Sequence, residues 1–209
     1  MRKSLWFIVP CLGRFELTRM TLGELAALRD VLDYDVRAVV IARDENLDTA
    51  REFNFSALTE MSAQVGYKFN DGYQHALLKG ADYVCHWQSD NSAIPEYFAP
   101  PPGENEIIST HTLAIVDGER TAYLHVEDEA NPYGAGPFLF PARMLEPLNG
   151  RPIRDDLHNG VDRDLVRSLR AANPAAKVVY RDIDRAQFVS YKDSLSINGY
   201  DALAHLAKA

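Results

Sequence analysis

Residues 66–91 read GYKFNDGYQHALLKGADYVCHWQSDN, from Gly66 to Asn91, and the way this stretch ends decides the fold. The spacing predicts a short helix from about Asn70 to Lys79, stopped at Gly80. An apolar strand follows, Tyr83-Val84-Cys85-His86-Trp87, and it gives way at once to Gln88-Ser89-Asp90-Asn91. Open α/β sheets bind their ligands in the crevice beyond the carboxyl ends of the strands, so an acid in that position is a candidate ligand contact. Asp90 is therefore the first candidate site residue.

Working outward from this stretch, Leu5 to Val9 (LWFIV) is a continuous apolar run closed by Pro10, as expected of a strand buried on both faces. Leu17, Met20, Leu22, Leu25 and Leu28 recur at helical spacing between about Glu16 and Val31. Asp35 to Ala42 (DVRAVVIA) is a second buried strand, ending in Arg43-Asp44-Glu45-Asn46. Together these make a βαβ unit. A helix from about Asp48 to Phe53 and a strand around Met61 to Val65 lead into the opening stretch, so residues 1–91 have the layout of half a doubly wound sheet. Beyond Asp90 a proline-rich connection precedes a strand from Glu106 to Ile115. Asp117-Gly118 signals a hairpin whose partner strand is Thr121 to Val126. An acidic, turn-rich run from Glu127 to Gly136 leads to a short helix near Ala142 and a polar loop, Gly150 to Gly160. The pattern then predicts a helix from Val161 to Ala172 with Asp162 and Asp164 in its first turn, where the helix dipole favours acids. A strand at Val178 to Tyr180 and a helix at Tyr200 to Lys208 close the chain.

The 209 residues are 46% hydrophobic and 25% charged, enough for one globular domain with a sizeable core. The formal net charge is −8, with no basic block, which argues against duplex nucleic acid held through its phosphates. No stretch is long and apolar enough for a membrane span. The apolar run near the N-terminus stops at Pro10 without a signal-peptide cleavage site. Two cysteines, Cys11 and Cys85, fit reduced, buried thiols, and a cytoplasmic location is expected.

Four acids stand at strand or loop ends: Asp44, Asp90, Asp156 and Asp162. Each can simply cap a turn or helix. Asp44 and Asp90, however, follow strands of one expected parallel sheet, so their carboxylates would share a crevice. There one can contact a base or ribose and the other a divalent cation, since hard cations prefer carboxylate oxygens. Lys68 and Asn70 can reach the same phosphates or ribose, and Asn70 equally reads as a helix N-cap. There is no Walker A motif, no GxGxxG after the first strand, no HExxH and no GxSxG elbow. His86 reads as a satisfied strand residue, and His111 and His158 are weaker site candidates.

On these residues the chain resembles the GT-A fold glycosyltransferases, specifically the inverting, family-2-like group that uses nucleotide sugars. Ile8-Val9-Pro10 with Arg14 and the following helix is similar to the family's opening strand, loop and helix. Ala38 to Asp48 is similar to its base-contacting strand and acidic turn, and Lys68 to Gly72 to its Asn-x-Gly step. Gln88-Ser89-Asp90 stands at its DxD metal motif, Gly134 to Phe140 resembles its acceptor-side segment, and Asn159 to Leu165 resembles the acidic motif that opens a helix. The resemblance implies a three-layer α/β/α domain with a mixed, mainly parallel sheet, residues 1–91 forming the donor half and 92–209 the acceptor half. It implies transfer of a sugar, with inversion, from a nucleotide-diphosphate sugar (UDP-sugar favoured) to an acceptor hydroxyl. Pro10, Arg14, Asp44, Lys68, Asn70, Ser89 and Asp90 would contact the donor. Asp90 would hold Mn²⁺ or Mg²⁺, and Asp162 would be the base, with Asp156 as the alternative. The sequence departs from the family pattern at Gln88, at Val161, and in having no histidine between His158 and His205, where Tyr191 stands. The competing readings are a nucleotide- or sugar-binding protein without turnover, and a nucleotidyltransferase.

Overall fold

The computed structural model describes residues 2–110, 112–117, 120–125, 135–181 and 188–192. Its central sheet has seven strands. These are β1 (Ser4–Pro10), β2 (Asp35–Ala42), β3 (Ser56–Thr59), β4 (Tyr83–His86), β6 (Glu106–Thr110), β9 (Ala135–Pro141) and β10 (Lys177–Tyr180). They lie in the order β10-β6-β9-β4-β1-β2-β3, and β9 alone runs against the rest. A second sheet, in the order β5-β11-β7-β8, joins β5 (Asn91–Ala93), β7 (Thr112–Asp117), β8 (Arg120–His125) and β11 (Phe188–Lys192).

Alternation along β1 splits the interior into two layers, because successive strand side chains point to opposite faces. Leu5, Phe7 and Val9 join Leu22, Leu25 and Leu28 of α1 (Phe15–Val31) and Ala50 of α2 (Asn46–Glu52). Trp6 and Ile8 join Phe69, Tyr73 and Ala76 of α3 (Val65–Leu78) with Leu165, Val166 and Leu169 of α4 (Val161–Ala172). The result is the expected three-layer α/β/α arrangement on a mainly parallel sheet.

Several elements differ from the sequence expectation. Helix α3 begins at Val65, not Asn70, after an extended Gln64 with no side-chain cap. Lys68 and Asn70 are therefore buried inside the helix, and Asn70 is not an N-cap. Polar residues on a buried face had masked the apolar period there. The strand placed at Met61 to Val65 is instead β3, a short, half-exposed edge with little alternation to read, and Met61 itself is exposed. The single strand Glu106 to Ile115 divides into β6 and β7, which enter different sheets, a choice made by pairing partners and invisible in local pattern. β7 and β8 pair antiparallel with Asp117 opposite Arg120, while Gly118 lies outside the described residues. So do most of the run Glu127 to Gly136 and the helix expected at Tyr200 to Lys208. Among the described residues no helix is long and apolar enough to cross a membrane.

α3 packs closely on the sheet at Gly72, where a Cβ would stand 2.4 Å from Ile8 Cγ2 and 2.8 Å from Ile41 Cδ1. Both isoleucines are fully buried. Gly72→Ala is therefore expected to destabilise by about 1–3 kcal/mol through overpacking. For a chain of this size that lowers the melting temperature by roughly 2–12 °C. An unchanged melting temperature would refute the close approach.

Candidate active site

Sheet order fixes where a ligand can sit. The chain runs outward from β1 through β2 to β3, then returns to place β4 on the other side of β1, so the strand order reverses between β1 and β4. Such a switch point leaves a crevice at the carboxyl ends of the two strands. A cavity of about 320 Å³ opens there. Of the residues expected at the site, Pro10, Arg14, Lys68, Ser89, Asp90 and Asp162 line it, together with Cys11, Gln88, His158 and Gly160. Asp44, Asn70 and Asp156 do not.

The loop after β1 is held from three directions. Gly13 and Arg14 both adopt left-handed backbone, φ 60° and 56°. For a non-glycine residue this costs about 1–2 kcal/mol, which the surroundings must offset. The Asp44 carboxylate accepts from the Gly13 amide at 2.8 Å and from Asn46, while Asn46 Nδ2 donates to the Gly13 carbonyl at 2.9 Å. Lys68 Nζ, almost fully buried, donates to the Cys11 carbonyl at 2.8 Å. Burial lowers the Lys68 pKa. Asp44 thus shapes the loop from behind the cavity wall, and Lys68 braces it from below. Cys11 lines the cavity, but burial pushes its thiol up to about 12, which leaves no thiolate nucleophile at neutral pH.

At the end of β4, Thr21 of α1 shares its single hydroxyl proton between the carbonyls of Ser89 and Asn91, both at 3.1 Å. This pins the turn that presents Asp90. The Asp90 side chain is 2% exposed and Arg14 Nη2 donates to its Oδ2 at 3.0 Å. Among the described residues no three His, Cys, Asp or Glu side chains gather into a metal cage. One buried carboxylate at a cavity fits the binding mode in which Mg²⁺-like ions use one or two protein carboxylates and take their other ligands from phosphates and water.

The opposite wall comes from the start of α4. Gly160, at φ 71°, caps the helix and Asp162 and Asp164 follow in its first turn. The two acids have separate fates. Asp164 is buried, accepts from the Arg154 amide at 2.8 Å and pairs with Arg167, so it secures the 151–157 loop. Asp162 faces the cavity with its side chain 42% exposed, and its Oδ1 lies 2.8 Å from His86 Nε2. Asn70 clamps the same loop, its Oδ1 accepting from the Ile153 amide at 3.2 Å and its Nδ2 donating to Asp155 at 2.8 Å. Asp156 is exposed on that loop.

Four contributors carry little or no functional signal in the sequence. Thr21 and Asn46 act through backbone groups and left no signal. Asp164 was read only as a first-turn acid. His86, read as a satisfied strand residue, is satisfied by the candidate base itself. A histidine inside an apolar strand was the available signal, since a buried polar group needs a partner.

No protein-family model and no curated protein sequence matches the chain. Solved structures do. The catalytic domain of Drosophila β1,4-galactosyltransferase 7, in complex with xylobiose, superposes with a TM-score of 0.60 at 13% identity, over 89% of this chain and 69% of that one. S. aureus TarS gives a TM-score of 0.64 at 12% identity, over 90% of this chain and 60% of that one. The mannosyltransferase PcManGT of Pyrobaculum calidifontis, solved with GDP-Man and Mn²⁺, gives 0.60 at 15% identity, over 97% and 60%. The first is named a galactosyltransferase and the third a mannosyltransferase, and this chain, with its own mixed, mainly parallel sheet, has the GT-A fold.

Proposed function

We propose that the protein is an inverting glycosyltransferase that moves a sugar from a nucleotide-diphosphate sugar, UDP-sugar favoured, to an acceptor hydroxyl. The observation that carries this reading is the meeting of Asp90 and Asp162, 72 positions apart in sequence, on one cavity at the sheet's switch point. Residues 1–91 supply the donor side through Pro10, Arg14, Lys68, Ser89 and Asp90. Residues 92–209 supply the acceptor side through Asp162. Asp44 serves the donor side indirectly, by holding the loop after β1, and Asn70 serves the acceptor side, by holding the 151–157 loop that precedes α4. TarS has also been solved with UDP, which supports the uridine preference. Two free, buried thiols suit action in the cytoplasm.

In this mechanism Asp162 takes the proton of the acceptor hydroxyl as the acceptor oxygen bonds to the anomeric carbon. The bond from that carbon to the donor's phosphate oxygen breaks on the opposite face, and the electron pair leaves with the nucleoside diphosphate. The transition state is oxocarbenium-like, as in glycoside chemistry generally. A Mn²⁺ or Mg²⁺ ion held by Asp90 would supply Lewis-acid stabilisation of the departing diphosphate. Arg14, already beside Asp90, adds fixed positive charge on the same wall.

A panel of nucleoside diphosphates and nucleotide sugars, with and without Mn²⁺, tests the reading by thermal shift and sugar release. At a ligand concentration of about 100 times Kd the stabilisation is roughly 2.7 kcal/mol, a rise of about 5–10 °C for this size. The expected result is a metal-enhanced shift with one diphosphate and release of the sugar from its nucleotide sugar. The Arg14–Asp90 pair and Gln88 favour one second reading, a binding protein without turnover. A shift with no sugar release on any acceptor would establish it. Absence of any shift would overturn both.

A further inference from the structure

Behind Asp162 lies a polar chain made of His86 and Tyr73. His86 is 1% exposed, and its ring is stacked on Phe69 at 3.8 Å between centroids and 19° between planes. Its Nε2 lies 2.8 Å from Asp162 Oδ1 and its Nδ1 lies 2.5 Å from the Tyr73 hydroxyl. Tyr73 is fully buried, and burial, reinforced by the Asp162 charge, raises its pKa well above the usual phenol value. It is therefore a hydroxyl with one proton to give, and His86 is its partner among the described residues. Donation from Tyr73 makes Nδ1 the acceptor and puts the ring proton on Nε2, aimed at the carboxylate.

We propose that His86, oriented by Tyr73, is a positioning residue that holds Asp162 in the geometry of proton abstraction. This rests on the reading of Asp162 as the acceptor base. Phe69 fixes the ring plane, Tyr73 fixes the tautomer, and the Nε2 proton fixes Oδ1. The other carboxylate oxygen, Oδ2, has no partner among the described residues, and Asp162 itself lines the cavity. The acceptor proton passes to Oδ2, the acceptor oxygen bonds to the anomeric carbon, and the diphosphate departs with the electron pair of the broken bond. His86 keeps its proton throughout. Without it, a side chain on the first turn of α4 would sample rotamers that turn the base away from the acceptor, and small misplacements are costly in rate.

Steady-state kinetics on a confirmed donor and acceptor test this with His86→Phe, His86→Gln, Tyr73→Phe and, in parallel, Asp162→Asn. Side-chain ¹⁵N NMR of the unmodified protein reports the His86 tautomer. His86→Phe keeps the ring on Phe69 and removes both hydrogen bonds. It is expected to lower kcat about 10–100-fold, the scale of a misplaced reactive group, with donor KM within about twofold. His86→Gln retains a donor toward Asp162 and should recover most of that loss, a rescue that a merely space-filling role would not show. Tyr73→Phe should lower kcat by a smaller factor, about 3–10-fold, by releasing the tautomer. NMR should place the proton on Nε2. The proposal is overturned if His86→Phe keeps kcat within twofold while Asp162→Asn abolishes turnover, if Gln is no better than Phe, or if NMR finds the proton on Nδ1 alone. Retained turnover in Asp162→Asn would instead overturn the base assignment, so the two failures are separable. Should His86→Phe not fold, the glutamine variant and the wild-type tautomer decide.

Discussion

Asp162→Asn is expected to lower kcat by about 10²–10⁴, the contribution of a positioned general base. That corresponds to roughly 3–5 kcal/mol of barrier at 1.36 kcal/mol per tenfold. The substitution isolates proton transfer because the amide oxygen can still accept from His86 Nε2, so the contact seen at Oδ1 and the start of α4 are retained. Donor affinity, read as the thermal shift with the cognate diphosphate, should stay unchanged. Asp156→Asn is the control, since Asp156 is exposed on the neighbouring loop and does not line the cavity. It should leave kcat near wild type. Activity within tenfold of wild type in Asp162→Asn would remove this residue from the base role, and loss in Asp156→Asn would transfer the role to its neighbour.

The second large effect is at Asp90. Asp90→Ala should lower kcat about 10²–10³-fold or more, as for other electrostatic stabilisers of developing charge, and should abolish any stimulation by Mn²⁺. It also acts on the fold. The Arg14 and Asp90 side chains are 13% and 2% exposed. Breaking such a buried pair by removing one partner costs up to about 3–5 kcal/mol. The double variant Arg14→Leu/Asp90→Ala should therefore lose less stability than the two single variants summed while remaining inactive, a coupling that a mutant cycle measures. Wild-type turnover in Asp90→Ala would show the metal assignment to be wrong. Additive losses in that cycle would show that the ion pair contributes little.

Much of this was legible from pattern because it depends on local chemistry. Leu5 to Val9 and Ala38 to Ala42 are continuous apolar runs, and each forms the part of a central strand that is buried on both faces. α4 has the boundaries its period predicts, Val161 to Ala172. Local pattern misleads where side chains break the period for reasons outside the segment. Lys68 and Asn70 are polar yet buried inside α3, because one reaches the Cys11 carbonyl and the other the Ile153 backbone, 57 and 83 residues away in sequence. A segment that spends its polar residues on distant loops does not look like a helix core from within.

The sequence by itself determined a doubly wound α/β protein with Asp44, Asp90, Asp156 and Asp162 at strand or loop ends, since apolar period and strand-end chemistry are written locally, and the family resemblance alone picked Asp162 as the base, with Asp156 as the alternative. Only the tertiary structure decided what each acid does. Asp44 turned inward to the Gly13 amide and Asp164 to the Arg154 amide, while Asp90 met Arg14 and Asp162 met His86. Those partners lie far apart along the chain. The order β9-β4-β1-β2 brings β4 beside β1, where its end meets the β1–α1 loop, and α4 packs over the same face of the sheet to reach His86. Partner choice is set by sheet order and register, which no single segment encodes.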